Sequence, residues 1–377
     1  MADGITAVVY NVTKELAKRG HKVSVYTSDV LDLHGKTSLK ALNLMVNGVN
    51  VCYLRSLWRY KTFIVTPSIV SILAKSLSDF DVIHIHDCRS FQGIFAYLFA
   101  KAKNIPYVFQ PHGSYLSSLH DSPSKTVAKT ALDKFVSGEI IRNASKIIAL
   151  SQVEAEQYRS MGVPEEKIEI VPNGIDLSKY RDLPLKGSFK KKFGIDNDEK
   201  IVLYVGRIHE SKGLDLLAQA FKIVSETVSN VRLVVVGPDD GYVAAFSRLI
   251  SGLGIEEKVL FTGFVEKKDK LAAFVDSDVF VTPLFSGFPV TFLEACLACC
   301  PIVTASDELD WINNKVGYVT EYSSDSLAKG VASVLQDEQM NRRFRNNCRH
   351  MIKNFDISTV THQLEKVYKE ALSCGCY

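Results

Sequence analysis

The sequence predicts an α/β fold that consists of two doubly wound domains in tandem. Three observations support this prediction: the length of 377 residues, the alternation of apolar strand segments with helical segments, and a polar, lysine-rich passage near the middle of the chain. A single hydrophobic core stops growing at roughly 250–300 residues, so a chain of this length is expected to form two cores. Strands that are apolar along their whole length indicate parallel sheets with helices on both faces.

The first domain is predicted to span residues 1–172. It opens with MADGITAVVYNVTKELAKRGHKVSVYT, in which a turn containing Gly4 is followed by an amphipathic helix, a stop at Arg19-Gly20 and a strand. The further strands of this domain are NVCYLR, DVIHIHD, YVFQPHG and KIIALS. The first helix has no strand before it, although a repeated βα pattern needs one. We therefore expect the first strand of this domain to be absent.

A linker region is predicted at residues 173–200, where an Asn-Gly turn in VPNGIDLSKY is followed by the polar passage LPLKGSFKKKFGIDNDEK. The second domain is predicted at residues 201–350. Its strands are IVLYVGR, VRLVVVG, KVLFTGFV, DVFVTP, PIVTA and VGYVT. Residues 351–377 complete a tail with a mostly helical pattern. The second half of the chain therefore repeats the βα alternation of the first.

The composition argues against several classes of protein. The formal net charge of +3 is small, with 45 basic and 42 acidic residues, so a nucleic-acid-binding protein is not indicated. No apolar run approaches the ~18–20 residues that span a bilayer, and no signal peptide opens the chain, so we expect a cytoplasmic protein. Cys296, Cys299 and Cys300 lack a matching pattern of His or Cys partners. Buried thiols in a reducing compartment are favoured there over a metal site.

The stretch LYVGRIHESKGLDLLAQAF predicts an anion site. A strand ends at Val205, Gly206 forms the turn, and Arg207 and Lys212 flank a loop that enters a helix at Gly213. Unpaired N–H groups and the helix dipole favour negative charge at a helix N-terminus, and two cations strengthen that preference. A diphosphate is the expected ligand. The alternative is a surface loop with two solvated cations.

The stretch PLFSGFPVTFLEACLACCPIV places a loop between an apolar strand and a helix, with Glu294 about two turns into that helix. In open α/β sheets, ligands bind at the carboxyl ends of the strands. Glu294 is therefore expected either to point back at a ligand or to be a solvated helix residue.

Histidines form two further candidate sites in the first domain. His112 follows a strand in YVFQPHGSY, where the next residue, Gly113, permits a close approach of the backbone, and this position favours a functional role. His84 and His86 alternate in HIHDC and share one face of a strand, which resembles a metal-ligand pattern. No third ligand is evident, so a structural role is favoured for this pair.

In this order, the motifs resemble the retaining glycosyltransferases of family 4, which use sugar nucleotides and have the GT-B fold. The matching segments span nearly the whole chain: KELAKRGHKVSVYT, DVIHIHD, PYVFQPHG, KIEIVPNGID, LYVGRIHESKGLDLL, LVVVGPDDG, VLFTGFV and FLEACLACCPIV. The resemblance implies two Rossmann-like domains that face each other across a cleft. The second domain would bind the donor nucleotide, the first would bind the acceptor, and the helix in residues 351–377 would cross back to the first.

The resemblance also implies roles for individual residues. Arg207 and Lys212 would grip the donor diphosphate, Glu294 would hydrogen-bond the ribose hydroxyls, and His112 would approach the transferred sugar. The remaining implied donor-binding positions are Gly4, Gly206, Gly263, Phe264, Val265, Ser286, Gly287, Phe288, Pro289 and Val290. Within this set, Gly4 would end a Gly-rich loop near the diphosphate, residues 263–265 would border the base, and residues 287–288 would offer backbone N–H groups.

The implied chemistry needs no cofactor and no metal ion. Arg, Lys and helix N-termini can stabilise a departing diphosphate by preorganised electrostatics. A front-face retaining mechanism would let the leaving phosphate oxygen accept the proton of the acceptor. The alternative double displacement needs a carboxylate below the sugar, and the sequence offers no convincing candidate. The expected donor is a nucleotide-diphosphate sugar, and the expected acceptor is a saccharide or a lipid-linked molecule.

Three departures from the family pattern bear on these expectations. The family usually has two glutamates in this loop and helix, and Ser286 stands where the first is expected. Cys300 stands where the family often has glycine. The strand expected before the first helix suggests the hypothesis of a shortened version of a longer protein. These departures leave two alternatives open, a non-catalytic nucleotide-sugar-binding protein and a sugar-nucleotide epimerase of the same fold.

The stretch RSLWRYKTF mixes aromatic residues with cations. Arg55, Trp58, Arg59 and Lys61 form a candidate contact with an anionic lipid carrier or with the inner face of a membrane. The alternative is an ordinary surface loop whose long side chains snorkel.

Overall fold

The computed structural model describes residues 4–30, 43–60, 63–87, 89–113, 137–285 and 287–373. The chain forms two compact units. The first comprises Met1–Ile175, Ser286–Phe288 and Ile357–Tyr377, and the second comprises Asp176–Phe285 and Pro289–Asp356. Both units contain parallel strands and helices, so the predicted α/β class is confirmed.

The first unit begins with helix α1 (Gly4–Lys18) and strand β1 (Val23–Ser28). Two short hairpins follow, β2 (Asn43–Val46) with β3 (Val49–Leu54), and β4 (Trp58–Tyr60) with β5 (Phe63–Val65). The next elements in chain order are α2 (Ser68–Ser76), β6 (Ile83–His86), α3 (Phe91–Lys103), β7 (Tyr107–Gln110), α4 (Gly138–Asn143), β8 (Lys146–Ala149), α5 (Gln152–Ser160) and β9 (Ile168–Ile170).

The strands of the first unit form two larger sheets and one small hairpin. One sheet has the order β1-β3-β2, and the other has the order β6-β7-β8-β9 with every pair parallel. The prediction of wholly parallel sheets is wrong for this unit, because β2–β3 and β4–β5 are antiparallel. Asn47 and Gly48 make the first hairpin turn with φ angles of 49° and 80°, a left-handed geometry that these residue types favour.

One hydrophobic cluster packs against both sheets of the first unit. Its buried members are Leu54, Ile69, Leu73 and Leu77, and the partly buried Tyr26 of β1 and Ile83 of β6 pack against them. Helix α2, which supplies Ile69 and Leu73, therefore joins the two sheets through apolar contacts. Within the described residues, β1 and β6 each form one end of their sheet.

The second unit starts at Asp176, and its first α-helix is the short α6 (Ser188–Phe193), which lies within the predicted linker and has a buried Phe189 side chain. The elements that follow are β10 (Lys200–Val205), α7 (Leu214–Thr227), β11 (Val231–Val236), α8 (Val243–Gly252), β12 (Val259–Gly263), α9 (Lys267–Asp276), β13 (Val279–Thr282), α10 (Val290–Leu297), β14 (Ile302–Thr304), β15 (Gly317–Val319), α11 (Ser324–Gln336) and α12 (Glu338–Met351).

The six strands of the second unit form one parallel sheet with the order β12-β11-β10-β13-β14-β15. The central strands are buried almost completely, as their unbroken apolar sequences predict. From β10 the chain adds β11 and β12 toward one edge of the sheet, and from β13 it adds β14 and β15 toward the other edge. The gap between the carboxyl ends of β10 and β13 is therefore a topological switch point, where ligands bind in this class of sheet.

The last helix, α13 (Ile357–Ser373), groups with the first unit. The Glu365 carboxylate pairs with Arg19 at the end of α1 at 2.8 Å, and the Tyr368 hydroxyl lies 2.8 Å from His84 Nδ1. These contacts attach α13 to α1 and to β6. None of the helices in the described residues combines the length and the apolarity needed to cross a bilayer.

Candidate functional site

The candidate site of the second unit lies where β10, β11, β12 and β13 end. Backbone hydrogen bonds link the ends of the first three of these strands: the N–H of Gly206 donates to the carbonyl of Val236 at 3.0 Å, and the N–H of Gly237 donates to the carbonyl of Gly263 at 3.0 Å. A Cβ atom at Gly237 would lie 1.8 Å from the carbonyl oxygen of Gly206, so only glycine fits at this crossing. The predicted positions Gly206 and Gly263 therefore lie on one rim of the sheet.

Arg207 and Lys212 are the cations of this rim. The Arg207 side chain is 51% exposed and forms an ion pair with Asp240 in the loop after β11. The pKa of the Lys212 ammonium is lowered by burial and then by the charge of Arg207, while Glu308 opposes this shift. The two cations are therefore close enough to disfavour each other's charge. A bound dianion would relieve that repulsion.

Gly213, at the end of this cationic loop, packs closely against the loop after β13. Its φ angle is 66°, and it directly precedes α7. A Cβ atom at this position would lie 3.1 Å from Cβ of Pro283 and 3.3 Å from the Tyr322 hydroxyl. Within the described residues, no side chain caps α7, so its first N–H groups are available to an anion.

Glu294 is a buried acid on α10, and only 3% of the residue is exposed. Its Oε1 atom lies 2.7 Å from the Nζ atom of Lys270 on α9. Its Oε2 atom is buried and has no hydrogen-bond partner among the described residues. The alternative that Glu294 is a solvated helix residue is therefore wrong. A buried carboxylate oxygen without a donor is costly, and a ligand hydroxyl would satisfy it.

The other predicted positions of the second unit surround the same rim. Gly263 ends β12 with a φ angle of 65°, and the Phe264 side chain is 58% exposed next to the partly buried Val265. Pro289 directly precedes α10, and Val290 is the first residue of that helix. The structure thus brings the second-unit positions to the carboxyl edge of one sheet.

Gly287 and Phe288 group with the first unit, whereas Ser286 lies outside the described residues. The φ angle of Gly287 is 69°, and a Cβ atom at this position would lie 2.9 Å from the carbonyl oxygen of His112. The carbonyl of Phe288 accepts a hydrogen bond from the Asn173 amide at 2.7 Å. The backbone of Gly287 and Phe288 is therefore held closely, and glycine is required at position 287.

His112 lies after β7 in a left-handed conformation, with a φ angle of 56°. Its Nε2 atom is 2.9 Å from Nδ1 of His86. The next residue, Gly113, donates its N–H to the buried carboxylate of Glu154 at 3.0 Å. His112 is thus held through its ring and through the adjoining backbone. Gly4, in contrast, is the exposed first residue of α1.

The predicted site lacked several of these contacting residues, among them His86, Glu154, Asn173, Asp240 and Lys270. Glu154 and Lys270 lie far along the chain from their partners, Gly113 and Glu294, and folding alone brings each pair together. His86 was assigned a structural role. Within the described residues, no group of three His, Cys, Asp or Glu side chains is placed to hold a metal ion.

Two family models match the chain. The model described as Glycosyltransferase Family 4 matches residues 2–179, and the model described as Glycosyl transferases group 1 matches residues 186–351. The chain is also 26% identical to the uncharacterised glycosyltransferase MJ1607 of Methanocaldococcus jannaschii. That alignment covers 98% of this chain and 95% of the relative.

Solved structures of the same fold were also compared with the chain. Sucrose-phosphate synthase from Thermosynechococcus elongatus has a TM-score of 0.78 at 20% identity, over 99% of this chain and 95% of that structure. HepE from Anabaena in complex with UDP-glucose has a TM-score of 0.74 at 20% identity, over 98% of this chain and 96% of that structure. These similarities confirm the GT-B fold predicted from the sequence.

Proposed function

The chain belongs to glycosyltransferase family 4 and is a glycosyltransferase, and from this premise we propose a specific activity. It is a retaining, metal-independent enzyme that moves a sugar from a nucleotide-diphosphate sugar to a saccharide or lipid-linked acceptor. The observation that carries the proposal is the buried Oε2 atom of Glu294, which has no hydrogen-bond partner among the described residues. Two neighbouring cations, Arg207 and Lys212, lie beside the N-terminus of α7 in the same unit.

Glu294 supplies the site for the ribose. Lys270 already occupies Oε1, so the carboxylate keeps its orientation before any ligand arrives. The free Oε2 atom accepts a hydrogen bond from a ribose hydroxyl. A hydrogen bond to a charged group contributes about 1.5–3 kcal/mol, and an unpaired buried acceptor costs a similar amount. Ribonucleotides are therefore preferred over nucleotides without ribose hydroxyls.

Arg207, Lys212 and the first N–H groups of α7 hold the diphosphate. Arg207 leaves Asp240 for the more highly charged phosphate, and the phosphate charge offsets the repulsion between Arg207 and Lys212. Negative charge grows on the diphosphate as the bond to the sugar breaks. These donors stabilise that charge more in the transition state than in the ground state, which accelerates the reaction.

The transfer itself follows a front-face course. The bond between the anomeric carbon and the phosphate oxygen breaks, and the acceptor oxygen bonds to the same face of that carbon. The acceptor proton moves to the leaving phosphate oxygen, so no protein nucleophile and no metal ion takes part. His112 lies beside the transferred sugar, and the serine at position 286 contacts a sugar hydroxyl in place of the usual glutamate.

The most direct test is a thermal-shift panel of UDP, GDP and ADP sugars, with UDP-glucose first because HepE was solved with it. The compound that stabilises the protein is then assayed for nucleotide release, with EDTA and with Mg²⁺. We expect one nucleotide class to stabilise the protein, and release to be unaffected by EDTA. Arg207→Ala and Glu294→Ala should lose the stabilisation, whereas the control Glu338→Gln, at a glutamate whose side chain is 83% exposed, should retain it.

Other outcomes of this panel would contradict the proposal. Stabilisation without nucleotide release, in the presence of candidate acceptors, would indicate a non-catalytic binder. Conversion of the sugar without an acceptor would indicate an epimerase. Stabilisation of the alanine variants equal to that of the wild type would place the donor elsewhere. Loss of nucleotide release in EDTA would refute metal independence.

The β4–β5 hairpin is the proposed membrane contact of this enzyme, which then acts at the inner face of a membrane. Arg55 and Trp58 are exposed and Arg59 is half-buried, whereas Lys61 lies outside the described residues. Aromatic and cationic side chains together favour an anionic lipid surface.

This contact is tested by sedimentation with vesicles of anionic or neutral lipid. We expect changing Arg55, Arg59 and Lys61 together to Ser to reduce binding to anionic vesicles. The control changes the same number of exposed cations in the second unit, at Lys268, Lys329 and Lys353. Equal binding of both variants would refute the proposed contact.

A further inference from the structure

Three histidine rings form a stack in the first unit beside the end of β7. His84 and His86 lie on the same face of β6, with ring centroids 4.0 Å apart. The ring of His112 lies 5.1 Å from that of His86, with an interplanar angle of 23°. The Nδ1 atom of His86 and the Nε2 atom of His112 are 2.9 Å apart, which is a hydrogen-bond distance.

Both rings of the hydrogen-bonded pair are uncharged near neutral pH. Burial lowers the pKa of His86 to about 4. Burial also lowers the pKa of His112 well below its ordinary value, and the neighbouring His86 lowers it further. The other titratable groups that face this stack are His84, Tyr368 of α13, and Glu154 of α5, which holds the turn after His112.

A hydrogen bond between two neutral imidazoles couples the protons of both rings. One of the two facing nitrogens must carry a proton and the other must accept it. If Nδ1 of His86 donates, Nε2 of His112 accepts, and Nδ1 of His112 then carries the remaining proton. In the reverse case, Nδ1 of His112 is an acceptor. The protonation of His112 Nδ1 is therefore coupled to that of His86 Nδ1.

We propose that His86 is a positioning residue that keeps His112 neutral and in a single tautomer. This inference rests on the proposed function, in which His112 lies beside the transferred sugar. The sugar acquires positive charge as the bond to phosphate breaks, and an imidazolium at this position would repel it. A neutral ring with a fixed tautomer avoids that repulsion and offers one defined hydrogen-bonding atom.

The backbone around His112 supports the same interpretation. His112 and Gly113 have successive positive φ angles of 56° and 72°, a conformation that non-glycine residues seldom adopt. Glu154 fixes this turn by accepting the N–H of Gly113 at 3.0 Å. The ring of His112 can then change its orientation only by breaking the contact with His86. His86 is thus the group that controls the ring.

The test compares the pH–rate profiles of the wild type, His86→Gln and His84→Gln. Gln at position 86 offers a carbonyl oxygen that accepts a hydrogen bond from an imidazolium and an N–H group that donates to a neutral ring, so it does not enforce one tautomer. We expect kcat of His86→Gln to fall about 10- to 100-fold, with the donor KM changed less than about 3-fold. A new acid limb should appear, with its midpoint moved toward the ordinary histidine pKa of about 6.5.

His84→Gln is the matched control, because His84 is a buried histidine on the same face of the same strand and bonds Tyr368 instead of His112. It should retain kcat within about 3-fold and the pH profile of the wild type. A purely structural role of the stack predicts equal effects of the two variants. Equal effects, or an unchanged profile of His86→Gln, would overturn the inference.

Nitrogen-15 NMR of the histidine rings in the wild-type protein decides the matter if His86→Gln does not fold. The His112 signals, assigned by their loss in His112→Gln, should show one neutral tautomer from about pH 5.5 to about pH 8. A mixture of tautomers or an imidazolium in this range would overturn the inference. This measurement needs no substrate, so it remains decisive even if donor turnover fails and the proposed function with it.

Discussion

Changing Lys270 to Met tests whether the pair with Glu294 is a structural support of the site. Lys270 is 29% exposed, whereas the Glu294 side chain is 4% exposed. Met has a similar length and is apolar, so it fills the space of the lysine stem without supplying a donor. The variant therefore leaves the Glu294 carboxylate buried with neither oxygen partnered.

The cost can be worked from this geometry. Removing one partner of a fully buried ion pair costs about 3–5 kcal/mol, because the remaining charge is left uncompensated. Lys270 is partly exposed, so water can reach the vacated position and reduce this penalty. We therefore expect the free energy of unfolding of the second unit to fall by about 1.5–3 kcal/mol, the range for hydrogen bonds to charged groups.

Urea unfolding followed by tryptophan fluorescence measures this change. The sequence contains two tryptophans, Trp58 in the first unit and the buried Trp311 in the second. In a Trp58→Phe background, fluorescence therefore reports the second unit alone. Lys268→Met is the matched control, because Lys268 is exposed on the same helix and should change stability by less than about 0.5 kcal/mol.

A double variant sharpens the test. Adding Glu294→Gln to Lys270→Met removes the uncompensated charge, so the double variant should be more stable than Lys270→Met alone. Unfolding of Lys270→Met at the same urea concentration as the wild type would refute this reasoning. A double variant whose losses are simply additive would show that the two side chains do not interact.

Two further predictions follow from the same geometry. The pKa of Lys212 is lowered, so its ammonium group loses its proton at a lower pH than an ordinary lysine, and nucleotide affinity should fall as the pH rises through that lowered pKa. Calorimetric titration should show this decline in the wild type and a smaller decline in Lys212→Arg, and equal pH profiles of the two proteins would contradict the prediction. Gly287→Ala should lower the thermal stability of the protein and its kcat, because the φ angle of 69° and the carbonyl of His112 exclude a Cβ atom. The control Gly252→Ala, at the end of α8 with no atom within 4 Å of a new Cβ, should be neutral, and equal melting temperatures of the two variants would contradict the prediction.

The fold of the second unit could be predicted closely from its sequence. Each of its strands is a short apolar run bounded by turn residues, and burial on both faces of a parallel sheet requires such runs. The hairpins of the first unit could not be predicted in the same way. β2 exposes Leu44 and Met45 to solvent, and β4 exposes Trp58, so their side chains do not follow the pattern that marks a buried strand.

The candidate site was predictable only in part. Arg207 and Lys212 stand directly after a strand, where local sequence indicates an anion site. Lys270 lies in the segment KKDK, which has the composition of a solvated helix face, and only the packing of α9 against α10 brings it to Glu294. His86 and Glu154 likewise act through contacts between elements that are distant in the chain. Local patterns carry no information about such contacts.

The proposed donor site depends most directly on ribose recognition by Glu294. The measurement is calorimetric binding of a ribonucleoside diphosphate and its 2′,3′-dideoxy analogue to the wild type and to Glu294→Ala, with the base taken from the most stabilising donor. A hydrogen bond to the buried carboxylate predicts that the wild type binds the ribonucleotide about 10- to 150-fold more tightly. Glu294→Ala should bind both compounds with nearly equal, weak affinity. Equal affinities in the wild type, or an undiminished preference in the variant, would contradict the account.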